Sequence, residues 1–67
     1  MKLKKFYKNL QKAFPNSDIF VEVKGQHRWL ANPSTPLRLY GNMEVIDLVN
    51  DYEEETNEPV FFIKIKE

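Results

Sequence analysis

The sequence predicts an α+β fold in which an N-terminal amphipathic helix packs on one face of a mostly antiparallel four-stranded sheet. Three observations carry this. Apolar residues recur at helical spacing over the first fourteen positions, later stretches alternate with strand period, and Pro and Gly fall between these periodic segments. At 67 residues the chain, 1–67, makes a single domain near the lower size limit for folding unaided. It contains no Cys, so no disulfide or thiolate metal site can staple it, and stability must come from apolar packing.

Leu3, Phe6, Tyr7, Leu10, Ala13 and Phe14 form the apolar stripe of the helix, and Lys2, Lys4, Lys5, Lys8 and Lys12 fall mostly between them. Pro15 ends it, because the residue before a proline is pushed out of the α region. "PNSD" reads as a turn. In "DIFVEVKG", Ile19, Val21 and Val23 alternate with Phe20, Glu22 and Lys24, and "HRWLA" is the return strand of a hairpin. "NPSTP" is a loop, and "LRLYGN" is a short helical turn or an extended connector. For "MEVIDLVNDY" the β-branched content favours a strand, paired antiparallel with the alternating "PVFFIKIKE". The expected order is α-β-β-β-β. The alternative, with 43–53 as a helix capped by Asn42, is α-β-β-α-β.

One helix covers one side of a four-stranded sheet. Ile19, Val21, Val23, Ile46, Leu48, Phe61, Ile63 and Ile65 are the expected core beneath it. The other side would then carry Phe20, Glu22, Lys24, Val45, Asp47, Val49, Val60, Phe62 and Lys64, a set rich enough in apolar residues to form an interface if contiguous. Either loops 32–42 and 53–58 fold back over that side, or a partner covers it. The hairpin register decides where Trp29 points. A two-residue loop at Gly25-Gln26 suits a type II′ turn and sets Trp29 and His27 beside Phe20. A three-residue loop pairs Val23 with Trp29 and turns it into the core, the placement its bulk favours.

Net charge is zero but unevenly laid out. Residues 1–14 carry five Lys and no acid, and residues 44–58 carry seven acids and no Lys or Arg. The acidic run lacks the spacing and Gly of a calcium loop. It reads as a solvated connection that guards the "VFFI" strand, or as an acidic surface that mimics nucleic-acid phosphate. His27 is the only imidazole and has neither triad nor zinc partners in the sequence. No constellation of nucleophile, base and stabiliser is present, so the expectation is a non-enzyme without cofactor or metal. No apolar run is long enough to span a bilayer, and no apolar region follows the N-terminal lysines, so neither a membrane partner nor a signal peptide is expected.

"MKLKKFYKNLQKAF", "IFVEVKG", "MEVIDLVNDY" and "PVFFIKIKE" in this order resemble small early-region proteins of phages and prophages of Gram-positive bacteria. The resemblance spans nearly the whole chain and rests on pattern and size. It implies a cytoplasmic accessory protein of an infected host, of a kind that binds a host or phage enzyme, defence nucleases included. The residues themselves suggest a protein-binding module, self-associating or docking through Phe20, Phe62 and Trp29, with Asp47, Asp51, Glu53, Glu54, Glu55 and Glu58 supplying specificity. The second expectation is a nucleic-acid-binding module that uses Lys4, Lys5, Lys8, Lys12 and Arg28 together with the sheet aromatics.

Overall fold

The structure, a computed structural model, describes all residues from Met1 to Glu67. Its elements are α1 (Leu3–Ala13), β1 (Ile19–Val23), β2 (Gln26–Trp29), α2 (Thr35–Tyr40), β3 (Val45–Tyr52) and β4 (Pro59–Ile65). The fold is α+β with a four-stranded sheet in the order β2-β1-β4-β3. Both outer pairs are antiparallel hairpins, and the central pair, β1 and β4, is parallel. The expected order therefore stands with one addition, the short helix α2 between the hairpins, and 45–52 is a strand rather than a helix. This order puts the two apolar strands, IFVEV and PVFFIKI, in the middle and the polar ones at the edges.

The core lies between α1 and the two central strands. Leu3 and Tyr7, one turn apart, bury onto Ile19, Val21, Val23, Phe61, Ile63 and Ile65, with Leu30 joining from beyond β2. Phe14 closes one end by packing its ring 4.8 Å from that of Phe61. No side chain caps the start of α1, and its first residues include lysines, which oppose the helix dipole. Two of its orphan N–H groups are instead satisfied by tertiary contacts: Leu3 donates to the Met43 carbonyl (2.8 Å) and Lys4 to that of Gly41 (2.9 Å). The segment after α2 is thus the N-terminal cap of α1. α2 itself begins at Ser34, whose hydroxyl accepts from the Leu37 amide, with Pro36 in its first turn.

Four expectations about side-chain placement are corrected. Ile46 is not core: the β3–β4 register shifts between Val45 and Asp47, and the resulting bulge leaves Ile46 63% exposed. The same bulge turns Val45, expected on the open side, inward against the core beside Ile65. Leu48 pairs with Ile63 on the inner side but stays exposed, because β3 is an edge strand beyond the cover of α1. Trp29 is 58% exposed rather than buried.

Trp29 is turned out by a hairpin that matches neither expected loop. Val23 pairs with Gln26 and Phe20 with Trp29, so the loop is Lys24-Gly25. Both residues have positive φ, +51° and +76°, the signature of a type I′ turn, whose twist matches that of the strands. Gly25 adopts this freely, whereas Lys24 is strained there. Asn tolerates the left-handed region, so Lys24→Asn should stabilise the domain by about 0.5–1 kcal/mol. Urea unfolding checks it: the midpoint should rise at unchanged slope. A midpoint at or below that of the parent chain contradicts the turn assignment.

Candidate protein-binding face

Nothing folds over the sheet side opposite α1. Residues 32–42 run on the helix side, where Leu37 and Tyr40 pack against the core and Gly41 meets the start of α1. Residues 53–58 close a tight β3–β4 connection, with the Glu53 amide bonded to the Glu58 carbonyl and the Asn57 amide to that of Glu53, and remain mostly exposed. The sheet face thus stays open, and what it presents is set by register alone.

Cross-strand pairing aligns Trp29 with Phe20, Phe20 with Phe62, and Phe62 with Val49. The result is one apolar row across all four strands. Phe20 and Phe62 stack with ring centroids 5.4 Å apart, and the His27 ring tilts over Phe62 at 4.5 Å. Beside this row runs a charged one: His27, Glu22, Lys64 and Asp47. His27 Nε2 stands 3.7 Å from a Glu22 carboxylate oxygen. Val60 extends the apolar surface on the other side, opposite Asp51.

The acids sit at one border of this face. Asp47 and Asp51 flank Val49 on the edge strand, each accepting its neighbour's amide at 2.8 Å, from Leu48 and Tyr52. Glu53, Glu54 and Glu55 continue from the end of β3 into the connection, and Glu58 leads back into β4. An acidic strip therefore follows the β3 edge to the tip of its hairpin. Glu44 does not belong to it. The N-terminal ammonium (2.9 Å) and Lys2 Nζ (3.4 Å) engage its carboxylate, and hydrogen bonds from the first and then the second lower its pKa from the usual carboxylate value.

The residues expected to bind nucleic acid together do not share a face. Lys4, Lys5, Lys8 and Lys12 stand on α1, on one side of the sheet, and Phe20, Phe62 and Trp29 are on the other. Arg28 pairs with Val21 and so also points away from the aromatics, its guanidinium bonded to Gln26. No three His, Cys, Asp or Glu side chains converge in a group that could hold a metal ion, and no helix is long and apolar enough to cross a membrane.

Reading the residues alone places Phe20, Phe62, Val49, Glu22 and Lys64 on one side of the sheet, but only the register aligns them in rows with Trp29 and His27. The Lys24-Gly25 loop gives only half of a type I′ signal, since Gly suits the second position and Lys disfavours the left-handed conformation of the first. Comparison with protein-family models, with curated proteins and with solved structures gives no match to this chain.

Proposed function

We propose that this chain is a non-catalytic protein-binding module that docks through its open sheet face onto a partner protein. The observation that supports this is the uncovered row Trp29–Phe20–Phe62–Val49, bordered by acids along β3. Aromatic anchors in an apolar centre with a charged rim are the arrangement that concentrates binding energy in protein interfaces. The rim chooses the partner: an apolar patch flanked by Lys or Arg, drawn toward Asp47, Asp51 and the Glu53–Glu55 tip. Such a basic surface is what a nucleic-acid-handling enzyme offers, which fits the accessory role that the likeness to phage and prophage early proteins implies.

The test compares the parent chain with three variants as immobilised baits in extract of the native host: Trp29→Ala, Phe62→Ser, and the triple reversal Glu53→Lys, Glu54→Lys, Glu55→Lys. Trp29→Ala should weaken retention of a given captured protein by about 30-fold, as for an interface hot spot. The charge reversal should reduce capture most at low salt. Circular dichroism should show all variants folded. Capture unchanged by both aromatic variants rejects the face as the docking site. Sedimentation of the pure chain tests self-association: a dimer that Trp29→Ala dissociates would make a second copy the occupant instead.

A further inference from the structure

We propose that the groove between α1 and α2 is an anion site that binds the phosphate group of a phosphate ester of nucleotide size. This groove is on the helix side of the sheet, away from the face described above, and has a volume of about 530 Å³. That is within the range of small-ligand sites. Lys4 and Lys8, one turn apart on α1, face Arg38 of α2 across it, and no carboxylate lines it.

None of these three cations enters an ion pair: the chain's close charge contacts are Met1 and Lys2 with Glu44, and His27 with Glu22. The chain has as many acids as bases, ten of each, yet it places none here. Two lysines four residues apart repel, and an arginine opposite adds to the repulsion. A bound anion relieves this. Arg and Lys together suit phosphate, Arg by its fork of donors and Lys as a point charge.

A second observation comes from Tyr7, which lines the same groove. The residue is only 3% exposed, yet its hydroxyl takes part in none of the chain's side-chain hydrogen bonds. It is not sealed off either: no fully buried side-chain polar atom lacks a partner, so the hydroxyl keeps some exposure, and Tyr7 lines both this groove and the hollow beyond it. Burial raises the Tyr7 pKa above that of a free phenol, so the hydroxyl stays protonated and able to donate. The amides of Asn32, Asn42 and Gln11 supply further donors along the walls.

The groove continues past Tyr7, Gln11 and Asn32 into a second hollow of about 220 Å³. That hollow holds one acid, Asp18, beside Asn16, Ser17 and Pro15. A carboxylate there disfavours a second phosphate and accepts from hydroxyl or amine groups. The site is therefore matched to a phosphate at one end and an uncharged, hydrogen-bonding body at the other, as in a nucleoside monophosphate or one unit of a nucleic-acid strand.

Amide chemical-shift titration of the full chain at low salt tests this with three probes: inorganic phosphate, adenosine 5′-monophosphate and a short single-stranded oligothymidylate. The signals of Lys4, Lys8, Asn32 and Arg38 should move with the mononucleotide, and the mononucleotide should bind more tightly than phosphate. Lys8→Gln and Arg38→Gln, both at exposed positions, should each weaken binding on the order of tenfold, the expected loss for a charge-assisted contact. Tyr7→Phe, which keeps the packing, should weaken it several-fold. Tighter binding of the oligonucleotide at the same residues, with a steep loss on adding salt, supports the phosphate site and assigns its source to a nucleic-acid strand. If no probe moves these signals, or if Lys8→Gln and Arg38→Gln leave binding unchanged, the proposal is overturned.

Discussion

Ile63→Ala should remove roughly half of the domain's stability. Ile63 is fully buried in the central strand β4, between Val21 of β1 and Leu48 of β3, beneath α1. Truncating such a side chain removes its transfer energy and leaves a cavity, together about 2–5 kcal/mol. A chain of this length holds only about 3–10 kcal/mol of net stability, so the loss takes roughly half of it. Ile46→Ala is the matched control. It is the same substitution at a bulged, mostly exposed position and should cost less than about 0.5 kcal/mol. Urea unfolding of both variants gives the comparison. Similar losses at the two positions would mean that the bulge does not exist in solution and that Ile46 is packed.

The second large effect is at Gly41. Its backbone is in the ordinary right-handed helical region, with φ −58° and ψ −27°. On local propensity alone, Ala there should stabilise by up to about 1 kcal/mol. Packing argues the opposite. A methyl group would meet the Leu37 carbonyl oxygen at 2.5 Å and Lys4 Cβ at 3.3 Å. The oxygen is backbone and cannot step aside without moving α2. That movement would drag the Gly41 carbonyl from the Lys4 amide it caps and spread the groove between the helices. Gly41→Ala should therefore destabilise by about 1–3 kcal/mol, the usual cost of overpacking. Thermal unfolding reads the sign directly, and a raised midpoint would show that the two helices separate at little cost. The same variant should weaken phosphate-ester binding, since Lys4 and Arg38 sit on opposite walls.

Both predictions rest on features that differ in how they show in a sequence. The inward triplets Ile19–Val21–Val23 and Phe61–Ile63–Ile65 are legible because strand period assigns a face once one face is apolar. The α1 stripe is legible in the same way, and Pro15 marks its end. Gly41 carries no such mark: its importance comes from α1 arriving on top of it from the far end of the chain.

The candidate face divides likewise. Phe20 and Phe62 were placed on the open side by alternation alone, but Trp29 was not, because one residue of slip inverts a strand and the loop proved to be Lys24-Gly25. Ile46 and Val45 exchanged roles through a bulge that alternation cannot foresee. The acids of 47–58 read as a cluster and form a strip, whereas Glu44, adjacent in sequence, is drawn away to the N-terminus.

By itself, then, the sequence determined the α+β class, the hairpin pairs, the inward faces of the central strands and the separation of basic from acidic segments. These follow from local periodicity and from where Pro and Gly interrupt it. Only the tertiary structure decided that β1 and β4 lie side by side and parallel, that Trp29 completes an aromatic row, that the lysines and the aromatics occupy opposite sides, and that Arg38 joins Lys4 and Lys8 around Tyr7. Each of these depends on segments distant in sequence meeting with a definite register, and such contacts leave no period in the chain to be read.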